Sequence, residues 1–227
     1  DCSQSRGLGD VYKRQEHGSL DYNQAENQSN AAKIYDVDSL LRVNRGSYSN
    51  YIRGLEVDCT GLIIPQIKSL ADAKEIEEFT KFPPIGKRGV DGGNNDGKYT
   101  KLDMAEYIKQ ANQERLVIYQ IETPEVINDV EAIAEMEGVD ALFFGPGDYS
   151  LSLGVPGQMD HPDVVSARKR VAEVARKNNK IAATPGGPGV AKNYIDMGYN
   201  LLNIGADVIA LSDYAENLVS QFEEINS

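Results

Sequence analysis

Six short apolar runs, each separated from the next by room for at least one helix, constrain the fold of this chain more than any other feature. They occupy residues 37–43, 61–67, 116–122, 139–144, 181–184 and 201–205. Runs of this length, bounded by glycine and proline, fit strands buried on both faces. The segments between them carry helix signals. Ser69-Leu70-Ala71-Asp72 is a capping pattern for a helix to about residue 79, and Thr123-Pro124 supplies a cap and a first position for a helix over 124–137. Val164, Val165, Val171 and Val174 line one face of a helix over 162–178, and Ser212 caps a last helix to about residue 225. Further helices are expected over 21–33, 47–57, 102–111 and 190–197. Strand and helix in alternation imply right-handed crossovers and a parallel sheet.

At 227 residues, 41% hydrophobic, the chain suits one domain, and α/β barrels reach this size as a single unit. A net charge of −12 repels phosphate backbones and argues against nucleic acid as a partner. Two cysteines, Cys2 and Cys59, show no metal-binding spacing and fit a reducing cytoplasm. No apolar run approaches the ~18 residues of a membrane span. Residues 1–15 lack the apolar centre of a signal peptide and show neither strand nor helix periodicity.

The polar groups gather at the carboxyl ends of the runs: Arg42, Gln66, Gln120, Glu122, Asp148 and Pro185. In a parallel α/β barrel that edge is the catalytic face. Six strands are too few for eight, so two more are expected before residue 37, where none is evident. Glu122 and Asp148 are 148 − 122 = 26 residues apart, one βα unit, and belong on neighbouring strand ends. Two carboxylates without histidine or cysteine favour a hard ion, Mg²⁺ or Mn²⁺; the alternative is that each caps the helix after it. Gly145-Pro146-Gly147, read as a loop running to residue 154, frees backbone N–H groups to hold a small acid's carboxylate. Schiff-base chemistry has no nucleophile on the 139–144 run, and Lys68 is the one lysine near a strand end. The Gly/Asn-rich stretch 91–100 is long enough to be functional. It follows a basic segment ending in Lys87-Arg88. His17, one of two histidines, is by itself a surface or core residue as readily as a base.

The stretches EHG (16–18), LLRV (40–43), GLIIPQI (61–67), FPPIGKRGV (82–90), YQIET (119–123) and FFGPGDYSLSLGVPGQ (143–158) together resemble the metal-dependent pyruvate aldolases of the HpcH/HpaI aldolase/citrate lyase family. The namesake activity is 4-hydroxy-2-oxoheptanedioate aldolase. The resemblance covers residues 16–227 and implies a (β/α)₈ TIM barrel, here lacking its first one to two strands. It implies a divalent cation, Mg²⁺ or Mn²⁺ with Co²⁺ as a third candidate, held by Glu122 and Asp148. A 2-oxo acid would chelate it, with its carboxylate on Gly147 and Asp148 and with Gln120 nearby. Arg42 would stabilise the enolate oxygen, and His17 would act as base. The implied reaction is cleavage of a 4-hydroxy-2-oxo acid to pyruvate and an aldehyde, in a homo-oligomer (a hexamer or trimer of dimers) that exchanges its last helix. Aldehyde specificity is expected to involve residues 91–100 and the neighbouring subunit.

Two departures bear on these expectations. Arg14 stands where the family has an aspartate before its Glu-His pair, and GPGDYS replaces the usual GPADLS through Gly147 and Tyr149. Residues 1–15 therefore read as a non-native tail before a barrel domain of 16–227. Two other functions fit the same residues. One is an acyl-CoA lyase of the same superfamily, which needs a basic nucleotide site. The other is a catalytically impaired or non-catalytic metal-binding barrel.

Overall fold

In the computed structural model, which describes residues 11–14 and 21–225, seven strands form one sheet. They are β1 (Val11–Arg14), β2 (Ser39–Arg42), β3 (Gly61–Ile64), β4 (Leu116–Ile121), β5 (Ala141–Phe144), β6 (Ile181–Pro185) and β7 (Leu201–Asn203). Strand order equals chain order and every pairing is parallel. The helices are α1 (Tyr22–Ile34), α2 (Tyr48–Glu56), α3 (Leu70–Thr80), α4 (Met104–Glu114), α5 (Val130–Ala134), α6 (Pro146–Ser152), α7 (Pro162–Lys177), α8 (Pro188–Met197) and α9 (Asp207–Ile225). Among the described residues β1 pairs only with β2 and β7 only with β6, so they form a parallel α/β sheet of seven strands.

The two-residue period of the strands divides the core. Leu40, Ile63, Ile118, Ala141, Phe143 and Ala183 form one apolar cluster on one face. Leu41, Leu62, Ile64, Val117, Tyr119, Leu142, Phe144 and Ala182 turn the other way and pack against the helices. Arg42, Gln120 and Glu122 share the parity of Leu40 and Ile118. The first face thus runs from an apolar floor to a polar upper layer at the carboxyl edge.

Several expected elements are corrected. Val11–Arg14, in the stretch that shows no periodicity, is a strand in register with Ser39–Arg42. Four residues carry too little pattern to register as a period; pairing with β2 defines the strand. The helix expected over 124–137 is a 3₁₀ turn, Val126–Asn128, and the short α5. Asp129, at the break, sends its carboxylate outward to the Leu70 N–H at 2.9 Å. The expected 145–154 loop contains α6, with Pro146 in its first turn where no N–H is needed. The last helix starts at Asp207, and Ser212 lies inside it with its hydroxyl on Glu216. Ser69 does cap α3, accepting the Asp72 N–H at 3.2 Å. No described helix is long and apolar enough to cross a membrane.

Candidate active site

Because all strands are parallel, Arg42, Gln66, Gln120, Glu122 and Asp148 fall along the same edge of the sheet. Glu122 follows β4 directly and is only 1% exposed. Its Oε1 accepts the Gln66 backbone N–H at 2.6 Å, and its Oε2 accepts a hydrogen bond from Gln120 Nε2. Gln66 reaches this position with φ of 55°, in the left-handed region that costs a non-glycine residue about 1–2 kcal/mol. Gln120 Oε1 is buried without a hydrogen-bond partner among the described residues.

Asp148 enters from the first turn of α6 and is exposed, so the pair has one member in the wall and one at the mouth. Burial raises the Glu122 carboxyl to about 7. The Gln66 N–H and Arg42 oppose the rise, and the Asp148 carboxylate adds to it. Arg42, 2% exposed at the end of β2, lies near enough to Glu122 for its charge to act on that carboxyl.

Gly145 sets how closely β5 approaches. A Cβ there would lie 3.0 Å from Gln120 Nε2, 3.0 Å from Glu122 Cβ and 3.1 Å from Glu122 Oε2. Gly147 is different. An added Cβ would meet nothing within 4 Å, so the fold itself does not require glycine there. Gly147 and Asp148 sit in the first turn of α6, where N–H groups have no acceptor four residues back. Tyr149 is buried against Phe144, with ring centroids 5.3 Å apart, and anchors that turn.

The donor set is oxygen only. Two carboxylates, one of them pushed toward protonation mainly by burial and further by its neighbour, beside the orphaned Gln120 oxygen fit a hard divalent cation. Among the described residues no three His, Cys, Asp or Glu converge, so waters or substrate would supply the remaining ligands. His17 lies outside the described residues.

Two expected elements take other roles. Arg88 is buried, paired with Asp96 at 2.9 Å and stacked over Phe82, so Lys87-Arg88 is not a basic surface patch. Residues 91–100 are anchored at the opposite edge. The Asp96 N–H reaches Glu56 O, Asp96 Oδ1 takes Arg115 Nε at 2.7 Å, and Lys98 pairs with Asp58 at 2.5 Å. Asp58 and Arg115 precede β3 and β4, at the amino ends of the strands, beside a cavity of about 200 Å³ that they border with Lys33 and Lys98. Sequence reasoning missed this network because its members are scattered over 80 residues with no common motif. The run of polar residues ahead of each strand was its one available trace.

The sequence model of the HpcH/HpaI aldolase/citrate lyase family matches residues 16–213. A 2-keto-3-deoxy-L-rhamnonate aldolase of Salmonella paratyphi A is 27% identical over 218 residues, spanning 93% of this chain and 79% of the relative. The solved structure of an HpcH/HpaI aldolase from Desulfitobacterium hafniense superposes with a TM-score of 0.86 at 28% identity, over 96% of this chain and 85% of that one. A family protein from Burkholderia cenocepacia gives 0.85 at 29% identity, over 95% and 85%. These matches make the protein a carbon–carbon lyase, and the chain belongs to the HpcH/HpaI aldolase/citrate lyase family.

Proposed function

We propose that this protein is a divalent-metal-dependent aldolase that cleaves a 4-hydroxy-2-oxo acid to pyruvate and an aldehyde, and runs the reverse addition. The observation that carries the reading is the buried Glu122 carboxylate held beside Asp148, within reach of Arg42. Glu122 and Asp148 would hold Mg²⁺, Mn²⁺ or Co²⁺, which supplies Lewis acidity at the 2-oxo group.

The chain's own residues do the rest. The first-turn N–H groups at Gly147 and Asp148 take the substrate carboxylate, and Gln120 orients the 2-oxo acid. The 4-hydroxyl gives its proton to a base, the C3–C4 bond breaks, and its electron pair moves to form the enolate as the aldehyde leaves. Arg42, itself buried, neutralises charge on the enolate oxygen, where a desolvated contact is worth more than in water. Protonation at C3 gives pyruvate. His17 is the base in this reading.

The relative named for 2-keto-3-deoxy-L-rhamnonate points to a deoxy sugar acid as the type of substrate. An acyl-CoA thioester is less favoured, since burial of Arg88 removes the one basic patch available for a nucleotide. A homo-oligomer is part of the proposal. Val208, Ile209, Leu211, Tyr214, Val219, Phe222 and Ile225 of α9 are all exposed, an apolar surface that a neighbouring subunit would cover. Pyruvate release from 4-hydroxy-2-oxo acids, lost with EDTA and restored by Mn²⁺, tests the reading; turnover unaffected by EDTA overturns it.

A further inference from the structure

The cavity of about 200 Å³ at the amino ends of the strands takes no part in the proposed chemistry. Arg115 immediately precedes β4 and Glu122 immediately follows it, so a six-residue strand, about 20 Å, separates the cavity from the carboxylate pair. At its floor is Asp58, whose side chain is 2% exposed. Asp58 Oδ1 accepts from Arg115, and Oδ2 accepts from both Lys33 and Lys98. One carboxylate charge thus answers three cations, and two ammonium groups converge on a single oxygen. Asp96, the second buried carboxylate, is already divided between Arg88 and Arg115. Lys33 and Lys98 are 42% and 47% exposed and form the mouth. Each ammonium gives Asp58 one of its three donors and keeps two.

The backbone brings the second ammonium there under strain. Lys98, Tyr99 and Thr100 have φ of 51°, 52° and 65°, three successive non-glycine residues in the left-handed region. The Tyr99 N–H on Asn94 O at 3.0 Å and the Thr100 N–H on Gly92 O at 2.7 Å fix the turn. Asn95 Nδ2 ties it to Asn30 Oδ1 of α1 at 2.9 Å. A strained turn that adds like charge to an oxygen already paired with Lys33 is a poor structural device and a good anion trap. Glu114 works against an anion, since its exposed carboxylate borders the same cavity. Glu56 senses the charge of Arg88 but does not line the cavity.

We propose that this cavity binds a phosphoryl dianion, either inorganic phosphate or the phosphate of a small monoester. A compact tetrahedral group with two charges matches two converging ammoniums, whereas a single carboxylate brings half the charge. The volume is well below the roughly 300–1,000 Å³ of pockets for drug-sized ligands, so it leaves room for a few further atoms and not for a nucleotide. Bound there, the group fastens α1, the 91–100 stretch and the end of α4 to one another. Its effect is on stability, and the inference stands apart from the aldolase reading.

The test is calorimetric titration of the EDTA-treated full chain with inorganic phosphate and, separately, with glycerol phosphate, at constant ionic strength. Thermal unfolding in the same solutions is the second readout, because a ligand of the folded state raises Tm. The variants are Lys33→Gln and Lys98→Gln, each of which leaves Asp58 paired with Arg115 and one lysine, and Glu114→Gln. One phosphoryl group is expected to bind per chain and raise Tm. Either lysine variant should weaken binding about tenfold, one charge-assisted hydrogen bond's worth, and Glu114→Gln should tighten it. Tighter binding of glycerol phosphate than of phosphate supports the site with a monoester as its ligand, and the reverse order supports it with the free ion. Absence of saturable binding of both at millimolar concentration overturns the proposal. Binding within twofold of the parent in a folded lysine variant and in Glu114→Gln also overturns it, because the phosphoryl group then sits elsewhere.

Discussion

Gly145 and Glu122 are packed so closely that the smallest possible side chain on the first would reach 3.1 Å from Oε2 of the second. Neither neighbour can yield freely, since Glu122 is fixed by the Gln66 N–H and Gln120 by Glu122. Gly145→Ala is therefore expected to lower Mn²⁺ affinity and turnover at least tenfold, with a stability loss of about 1–3 kcal/mol. Gly147→Ala, two residues on in open space, should cost less than about 0.5 kcal/mol. Comparing the two by denaturant unfolding and by Mn²⁺ titration separates crowding of the site from a general dislike of alanine in this turn.

Glu122→Gln and Asp148→Asn should each reduce metal-dependent turnover by more than about 100-fold while the chain still folds. Their effects on the metal-free protein differ. Glu122 is buried and carries the raised carboxyl, so the glutamine variant should gain about 1–3 kcal/mol above neutral pH. Asp148 is exposed, and its asparagine variant should change little beyond relief of the pair. Equal turnover in either variant and the parent would remove the carboxylate pair from the mechanism.

Glu122 also fixes a pH dependence. Its folded carboxyl, raised to about 7 from an ordinary 4.5, binds a proton more tightly than in the unfolded chain. The stabilisation from this group is complete below about 4.5 and is lost as pH rises through about 7. Urea midpoints of the metal-free protein should fall across that window. With Mn²⁺ present the sign reverses, because the ion competes with the proton and binds more tightly as pH rises.

Arg42→Ala is expected to lower kcat by a factor on the order of 10² to 10³, with Mn²⁺ affinity changed far less. The opposite pattern, weak ion binding with a normal rate at saturating metal, would make Arg42 a partner of the carboxylates and not of the enolate.

At the other edge of the sheet, Asp96 stabilises without catalysing. Burial raises its carboxyl, but Arg115 and Arg88 outweigh that and hold it below the usual carboxylate range. Its contribution is present above about pH 4 and disappears as pH falls through the lowered value. Asp96→Ala leaves the buried Arg88 without its carboxylate and should cost about 3–5 kcal/mol in unfolding experiments while turnover per folded molecule stays near the parent's.

Much of this was legible because parallel strands announce themselves. The runs ending at Arg42, Glu122 and Phe144 are apolar on both faces, and the shift to charge at their ends marks the edge where chemistry sits. Counting one βα unit between Glu122 and Asp148 puts them on neighbouring strand ends, and their carboxyls do interact. What escaped had no periodic signal. Val11–Arg14 becomes a strand only through its partner, α6 is a helix of seven residues hidden in a glycine-rich turn, and Arg88 looked solvent-facing until Asp96 came to meet it from another loop. The tie between Gln66 and Glu122 spans 56 residues and depends on one backbone angle.

The sequential order of the strands has a consequence for how this molecule comes apart. Among the described residues each strand borrows its ladder hydrogen bonds only from its neighbours in the chain, so disorder can enter from either end of this sheet and advance one strand at a time. Glu122 and Asp148 follow β4 and β5, which have two strands or more on every side. Arg42, on β2, is one strand from the edge. Amide exchange should therefore be slowest around β4 and β5 and faster at β2, β6 and β7. A protein with frayed margins would keep its carboxylate pair and lose its guanidinium first, remaining able to hold an ion after it had stopped turning over substrate.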